Sequence, residues 1–197
     1  TLVGSSLRDT INGADGADTL IGRGGADALI GGTGVDTASY AGGSVAVRAD
    51  LSTGTGTGGD AEGDTYSSIE NVVGTDLADL MIGSSAAIRL EVGKGDDTLS
   101  GRGGADALIG GDGVDLVTYG TSAAAVRVDL INGIGTGGDA QGDTYSGIEN
   151  IKGSNLADTL IGTSAANVID GSNGDDILAG RGGADTLIGG SGSDTLS

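Results

Sequence analysis

Apolar residues recur at every ninth position along most of the chain. Residues 4–39 divide without gaps into four nonapeptides, and residues 74–118 and 153–197 divide into five each. Position 8 carries a large apolar side chain in every copy except one, which has Ala38, and positions 1 to 4 are rich in Gly. This pattern predicts a tight turn over positions 1 to 6 and a short strand over positions 7 to 9 whose central side chain points inward.

A second repeat, of 79 residues, joins each array of nonapeptides to a 34-residue insert, residues 40–73 or 119–152. Apolar residues near the start of each insert alternate at the period of two that is typical of strands. They are Val45, Val47 and Leu51 in the first insert, echoed by Val126, Val128 and Leu130 in the second. The inserts are therefore also expected to form β-structure.

The end of the first insert, residues 65–73, has the form of a degenerate nonapeptide, with Glu70 at position 6 and Val72 at position 8. We therefore expect each insert to continue the repeat structure as nearly two irregular coils. Because the chain begins and ends inside the pattern, we expect an excerpt of a longer protein. The predicted parts of one continuous rod are array 1 (1–39), insert 1 (40–73), array 2 (74–118), insert 2 (119–152) and array 3 (153–197).

A single nonapeptide cannot fold alone. Burying its one aliphatic side chain contributes about 1.5 to 3 kcal/mol, whereas ordering nine backbone units costs about 9 to 18 kcal/mol. Stacked copies share a narrow apolar core and parallel hydrogen bonds between strands. Two nonapeptides make one 18-residue coil, so that turns two copies apart lie roughly 4.8 Å from each other. The sequence therefore predicts an all-β solenoid.

Composition and charge exclude several classes of function. The chain has 43 Gly, no Pro, Cys or His, and a net charge of −19. Without His and Cys there is no imidazole or thiolate ligand and no Ser-His-Asp or Cys-His nucleophile, so a bound metal must be held by oxygen. The negative charge disfavours nucleic acid and anionic lipid, and no apolar run is long enough to span a bilayer. We expect cations as partners and no enzymatic activity, because carboxylate pairs such as Asp96 and Asp97 recur without a distinct pocket residue.

Position 6 of the nonapeptide is Asp in 12 of 14 copies. Stacking places these carboxylates above one another, and their repulsion opposes folding. A cation between two turns can take both carboxylates and turn carbonyl groups, which supplies the six or more oxygens that Ca²⁺ prefers, whereas the smaller Mg²⁺ should fit poorly. The candidate ligands are Asp9, Asp18, Asp27, Asp36, Asp79, Asp97, Asp106, Asp115, Asp158, Asp176, Asp185 and Asp194.

The copies GGTGVDTAS, GGDGVDLVT and GGSGSDTLS give the consensus GGxGxDxUx, which resembles the RTX family of hemolysin-type calcium-binding repeats. The resemblance covers the three arrays; the insert segments GDTYSSIEN and GDTYSGIEN look more loosely like those found between arrays of large secreted RTX proteins. It implies a right-handed parallel β-roll with Ca²⁺ between successive turns. It also implies an extracellular module of a Gram-negative bacterium, which leaves through a type I channel unfolded and folds on meeting external Ca²⁺.

Carried over residue by residue, the resemblance implies six well-formed Ca²⁺ sites. The pairs are Asp9 with Asp27, Asp18 with Asp36, Asp79 with Asp97, Asp97 with Asp115, Asp158 with Asp176, and Asp176 with Asp194. Position 6 is Ile88 or Asn167 in the two remaining copies, so the sites that these share with Asp106 and Asp185 should be weak or empty. The resemblance also places turn carbonyl groups in the coordination shell, here those of Ala14, Gly16, Arg23, Gly25, Gly32 and Gly34.

Some polar and aromatic residues leave alternatives open. Asp15, Asp96, Asp112 and Asp175 are expected to face solvent, and Arg23, Arg102 and Arg181 to be solvated counter-charges rather than recognition groups. The four Tyr residues, 40, 66, 119 and 145, either pack over the narrow core or form a sugar-stacking platform. Asp60, Asp64, Asp139 and Asp143 are candidates for additional Ca²⁺ sites. The alternative function is an adhesin or surface-layer segment, which binds a glycan or neighbouring rods through its inserts and uses Ca²⁺ only structurally.

Overall fold

The computed structural model describes all 197 residues and contains 23 β-strands in two sheets. Its only helical segments are two 3₁₀ turns, η1 (Gly59–Ala61) and η2 (Gly138–Ala140). Neither is long and apolar enough to cross a membrane. The predicted all-β solenoid is confirmed as a β-roll, because within the arrays every strand pairs in parallel with its neighbours in the same sheet.

The strands are mostly three residues long. The first sheet contains β1 (Leu2–Val3), β3 (Thr19–Ile21), β5 (Thr37–Ser39), β9 (Asn71–Val73), β11 (Arg89–Lys94), β13 (Ala107–Asp112), β15 (Arg127–Asp129), β16 (Ile134–Thr136), β17 (Thr144–Ser146), β19 (Thr159–Ile161), β21 (Ile177–Ala179) and β23 (Thr195–Leu196). The second sheet contains β2 (Thr10–Asp15), β4 (Ala28–Thr33), β6 (Arg48–Asp50), β7 (Thr55–Thr57), β8 (Thr65–Ser67), β10 (Leu80–Ile82), β12 (Thr98–Ser100), β14 (Leu116–Thr118), β18 (Asn150–Lys152), β20 (Val168–Asp170) and β22 (Thr186–Ile188).

Successive nonapeptides alternate between the two sheets. Leu2 therefore pairs with Leu20, Leu20 with Ala38, and Met81 with Leu99, in each case 18 residues apart. This register confirms that two nonapeptides make one coil. It also places equivalent turn positions of alternate copies directly above one another.

Most position-8 side chains of the arrays lie in one buried apolar cluster. Leu20, Leu90, Leu99, Leu108 and Leu178 are fully buried, each with an exposed fraction of 0%. The tyrosines of the inserts join the same cluster: Tyr40, Tyr119 and Tyr145 are buried in it, and Tyr66 packs against it. Of the two interpretations of these tyrosines, packing in the core is the one that the structure supports.

The inserts differ from the expected pair of irregular coils, because each contains two antiparallel strand pairings. In the first insert β6 pairs antiparallel with β7, which pairs antiparallel with β8, and η1 lies between β7 and β8. The apolar alternation keeps its expected phase but begins two residues later: Val45 is exposed, and Val47 and Ala49 are buried. A small Ala at the centre of the strand hid this register in the sequence, whereas the second insert has Val128 at the equivalent place.

The two inserts add their extra strands to different sheets. Strands β8, β7 and β6 lie between β4 and β10 in the second sheet, whereas β17, β16 and β15 lie between β13 and β19 in the first. At the end of each insert the chain returns to the repeat pattern, with Val72 and Ile151 buried at the core position. In the expected degenerate nonapeptide over residues 65–73, Glu70 and Val72 hold the positions of an array copy, but residues 65–67 form strand β8 and not the start of a turn.

Candidate metal centre

The position-6 carboxylates form columns along the two edges where the turns stack. In each column the Oδ1 atom of an Asp accepts a hydrogen bond from the backbone N–H of the Asp one coil before it. The donor-acceptor distances are 2.8 Å from Asp9 to Asp27, 2.8 Å from Asp18 to Asp36, and 2.9 Å from Asp97 to Asp115. All six predicted pairs are neighbours in a column and share this contact.

The hairpins of the inserts interrupt the stack, so the position-6 residues fall into four columns. Three of these columns also contain residues of the inserts. Column 1 contains Asp9, Asp27 and Asp64; column 2 contains Asp18, Asp36, Glu70, Ile88, Asp106 and Asp143; column 3 contains Asp79, Asp97, Asp115, Glu149, Asn167 and Asp185; column 4 contains Asp158, Asp176 and Asp194. The structure thus brings together the twelve candidate Asp residues and adds Asp64, Asp143, Glu70 and Glu149.

The second carboxylate oxygen is the unusual feature of these columns. Six Oδ2 atoms are buried and accept no hydrogen bond, those of Asp27, Asp36, Asp97, Asp106, Asp115 and Asp176. A buried charged oxygen without a partner carries a large desolvation penalty, and a cation between the turns would remove it. The donor set therefore fits a hard divalent cation such as Ca²⁺.

Burial raises the pKa of several column carboxylates, because the charged form is desolvated and its neighbours are also negative. The pKa of Asp97 rises to about 6, by desolvation first and by the charges of Asp115, Asp79 and Asp96 in addition. The pKa of Asp106 rises to about 7, again by desolvation and by the charges of Asp143 and Asp139. Without a cation, the stack therefore favours the protonated form of these groups.

No three or more His, Cys, Asp or Glu side chains form a cluster suited to a metal ion. A cation between two turns would therefore need backbone carbonyl groups as further ligands. The turns present such groups: a Cβ on Gly32 would clash with the carbonyl oxygen of Ala14, and a Cβ on Gly34 would clash with that of Gly16. Ala14 and Arg23 have left-handed φ angles of 68° and 62°, which orients the peptide planes of the turn. The remaining predicted carbonyl donor, that of Gly25, lies in the turn that passes close to the backbone of Leu7.

The first Asp of each array is held by a hydroxyl residue at position 2, a contact that the consensus did not reveal. Thr75 Oγ1 donates to Asp79 with a distance of 3.0 Å to Oδ1, and Ser154 Oγ donates to Asp158 with a distance of 2.9 Å to Oδ1. Ser5 makes the equivalent contact with Asp9. The sequence signal was the Ser or Thr at position 2 in the first copy of every array.

The two copies without Asp at position 6 interrupt columns 2 and 3 at equivalent places. Ile88 is buried and offers no oxygen ligand from its side chain. Asn167 uses its amide group instead, because Nδ2 donates to the carbonyl oxygen of Glu149 at 2.6 Å. The Asn167 amide therefore occupies the carbonyl oxygen of Glu149 with a neutral donor. That the sites shared with Asp106 and Asp185 are weak or empty stays a prediction.

The insert carboxylates Asp64 and Asp143 are bound by tyrosine hydroxyl groups. Tyr40 Oη donates to Asp64 Oδ2 at 2.7 Å and lies 2.6 Å from Tyr66 Oη. Tyr119 donates to Asp143 at 2.6 Å in the same way. Burial raises the pKa of Asp64 and of Asp143 to about 6. Both oxygen atoms of these two carboxylates are paired, in contrast to the six repeat Asp residues whose Oδ2 atom is buried without a partner.

The acids expected to face solvent, Asp15, Asp96, Asp112 and Asp175, are exposed as predicted. Three of them bond to the neighbouring coil: Asp15 accepts from Thr33 Oγ1 at 2.7 Å, Asp96 from Val114 N at 2.9 Å, and Asp175 from Ser193 N at 2.8 Å. They therefore strengthen the stack from outside the column. Asp60 and Asp139 lie in η1 and η2, outside the columns.

The sequence matches the RTX calcium-binding nonapeptide repeat in four copies, at residues 3–38, 89–117, 152–187 and 161–196. Together these ranges cover more than half of the chain. The chain belongs to the RTX calcium-binding repeat family. No curated protein matches its sequence. RTX nonapeptide repeats bind Ca²⁺ and are structural, calcium-binding elements in this family.

Proposed function

We propose that this chain is a module that folds on binding Ca²⁺ outside the cell and so aids the secretion, folding and stability of a larger secreted protein. One observation carries the proposal: six buried carboxylate oxygens without partners recur along the stacked turns. The net charge of −19 opposes the same stack. Ca²⁺ pairs the buried oxygens and offsets a large part of the negative charge, and both effects persist where Ca²⁺ is scarce.

The difference in Ca²⁺ concentration between the two sides of the membrane is large enough to switch the module between unfolded and folded states. A site with a Kd of about 10⁻⁴ M, typical of extracellular modules, adds roughly 1.4 kcal/mol at about 1 mM Ca²⁺, or about 8 kcal/mol over six independent sites. At a cytosolic level of about 10⁻⁷ M the same sites add almost nothing. The module is therefore unfolded inside the cell and folded outside, which suits export as an unfolded chain through a type I channel.

The proposed ligands are the twelve Asp residues of the columns together with the turn carbonyl groups. The three arrays and two inserts act as parts of one roll, since the strands of each insert are hydrogen-bonded to arrays on both sides. We assign no reaction to the chain. The adjacent carboxylates Asp96 and Asp97 accept hydrogen bonds from Val114 and Asp79, which lie on opposite neighbouring coils. Both carboxylates therefore stabilise the stacking of the coils.

The proposal is tested by far-UV circular dichroism of the purified chain in EDTA, followed by titration with Ca²⁺ and, in parallel, Mg²⁺. We expect a coil spectrum in EDTA and a cooperative transition to β-structure with Ca²⁺ alone. A β spectrum that is already complete in excess EDTA would show that stacking suffices without metal. That result would favour the alternative function, an adhesin or surface-layer segment whose inserts bind a glycan or neighbouring rods.

A further inference from the structure

Glu70 and Glu149 occupy rungs of the carboxylate columns although they lie in the inserts. Glu70 Oε2 accepts the backbone N–H of Asp36 at 2.8 Å, and Glu149 Oε2 accepts that of Asp115 at 2.9 Å. Within the arrays an Asp of the next coil makes this contact with its Oδ1 atom. The longer Glu side chain thus continues each column by one rung where the array ends.

The rung below each Glu has an oxygen atom that lacks a partner. Asp36 and Asp115 are both 0% exposed, and in both the Oδ2 atom is buried without a hydrogen bond. A carbonyl group of the insert converges on the same space. A Cβ on Gly31 would clash with Asp36 Oδ2 and with the carbonyl oxygen of Ser68.

The second copy of this arrangement is equivalent. A Cβ on Gly110 would clash with Asp115 Oδ2 and with the carbonyl oxygen of Gly147. Within the arrays the same space beside Gly13 is bordered by Asp18 Oδ2 and the carbonyl oxygen of Gly31. Ser68 and Gly147 therefore provide the carbonyl group that position 1 of the next coil provides elsewhere.

The other insert carboxylates lack these features. Asp64 Oδ2 accepts a hydrogen bond from Tyr40, and Asp143 Oδ2 accepts one from Tyr119. At the Cβ position of Gly22 the three nearest atoms all belong to Asp27, so no carbonyl oxygen lies as close there as Ser68 O does at Gly31. The Glu rungs are therefore the insert positions that combine a free carboxylate oxygen with a converging carbonyl group.

We propose that Glu70 and Glu149, with Asp36 and Asp115 below them, form two further Ca²⁺ sites, one at each boundary between an array and an insert. This inference rests on the proposed function, because it assumes that the columns bind Ca²⁺. The turn above each ion has three residues, such as Ser68 to Glu70, in place of six, and so supplies fewer carbonyl ligands. Water completes the shell, and these two sites fill after the sites inside the arrays.

The experiment compares Glu70→Gln, Glu149→Gln and the double variant with the wild-type chain. Gln keeps an oxygen to accept the backbone N–H and removes only the charge. Glu62→Gln is the matched control, because Glu62 accepts the N–H of Gly58 and the second insert naturally has Gln141 in the same contact. The Ca²⁺ stoichiometry of each folded chain is measured by equilibrium dialysis, and the affinities by calorimetry.

We expect each single variant to lose one Ca²⁺ per chain, the double variant to lose two, and Glu62→Gln to lose none. Equal stoichiometry and affinity in the double variant and the wild type would overturn the inference while leaving the proposed function intact. A wild-type chain that binds no Ca²⁺ would overturn both.

Tyrosine-sensitised Tb³⁺ emission provides a second measurement that uses the wild-type chain. The chain has no Trp or Phe, and its four Tyr residues all lie in the inserts. Tyr66 and Glu70 line one cavity, and Tyr145 and Glu149 line its counterpart. Emission should therefore continue to rise after the array sites are full, and this late increase should be absent from the double variant. Its absence from the wild-type chain would contradict the two sites.

Discussion

Asp97 is hydrogen-bonded to its neighbours in both directions along column 3 and lies between two predicted Ca²⁺ sites. Its Oδ1 atom accepts the N–H of Asp79 at 2.6 Å, its own N–H donates to Asp115, and its Oδ2 atom has no partner. Asp9, in contrast, is the lowest rung of column 1 and is held by Ser5. The contribution of an Asp residue to the stability of the stack therefore depends on its position in the column.

Replacing Asp97 by Ala should raise the Ca²⁺ midpoint of folding more than replacing Asp9 by Ala. One lost charge-assisted contact corresponds to roughly a tenfold loss of affinity, and Asp97 contributes to two sites. The midpoints are measured by circular dichroism at constant ionic strength. Equal midpoints for the two variants would contradict the assignment of shared rungs.

The tyrosine hydroxyl groups perform at Asp64 and Asp143 the task that a cation performs in the arrays. Tyr119→Phe leaves Asp143 Oδ2 without its donor, and we expect it to lower the free energy of unfolding by about 1 to 3 kcal/mol in saturating Ca²⁺. Tyr145→Phe is the control, because it removes a bond only between the two hydroxyl groups. Urea unfolding compares the variants, and a loss at Tyr145 as large as that at Tyr119 would argue against this role.

At the scale of the element, the turn stacks because its glycines allow carbonyl groups to approach from the coil before. Gly113 has a φ of +153°, and a Cβ there would clash with the carbonyl oxygen of Gly95. Gly103 lies in a turn of the same array, where a Cβ would meet no atom within 4 Å. Gly113 therefore combines a close carbonyl contact with a positive φ, whereas Gly103 has neither.

Gly113→Ala should destabilise the Ca²⁺-bound roll by about 1 to 3 kcal/mol, whereas Gly103→Ala should change stability by at most about 0.5 kcal/mol. Thermal unfolding in saturating Ca²⁺ gives the comparison. If both variants unfold together with the wild type, the close approach of turn carbonyl groups is unimportant for the stack.

The nonapeptide turn and strand were predictable because 12 of 14 copies have Asp at position 6 and every copy has an apolar residue at position 8. The antiparallel hairpins were not, because their central strands contain residues such as Gly56 and Ala49, which give no apolar alternation. The side chains that donate hydrogen bonds to the column carboxylates could not all be predicted from the sequence either. Thr75 reaches Asp79 over four residues, but Tyr40 reaches Asp64 only because β8 returns beside β4.

At the scale of the whole molecule, the metal-free roll should be stabilised by acid. The pKa values of Asp97 and Asp106 in the fold, about 6 and about 7, are above the ordinary value of 3.8. Between these limits the folded state binds more protons than the unfolded state, so its stability falls as the pH rises from about 4 to 7. Ca²⁺ binding reverses the dependence, because it requires the ionised carboxylates.

We therefore expect the β signal in EDTA to be larger at pH 5 than at pH 8, and the Ca²⁺ midpoint to be higher at pH 5. Circular dichroism at both values, in a buffer that does not bind Ca²⁺, measures the two effects. A metal-free chain whose β content rises with pH would have the opposite linkage, and the desolvated carboxylates could not then be its cause.

The hairpins of the two inserts lie in opposite sheets, and this follows from parity. From one hairpin to the next the chain passes through seven half-coils, five from nonapeptides and two from the insert. Because seven is odd, each insert is turned to the other side of the roll. Gain or loss of one nonapeptide would move every later hairpin to the opposite sheet, whereas a change of two would leave all of them in place. The roll can therefore vary in length by whole coils without disturbing the pattern of sides that its inserts present.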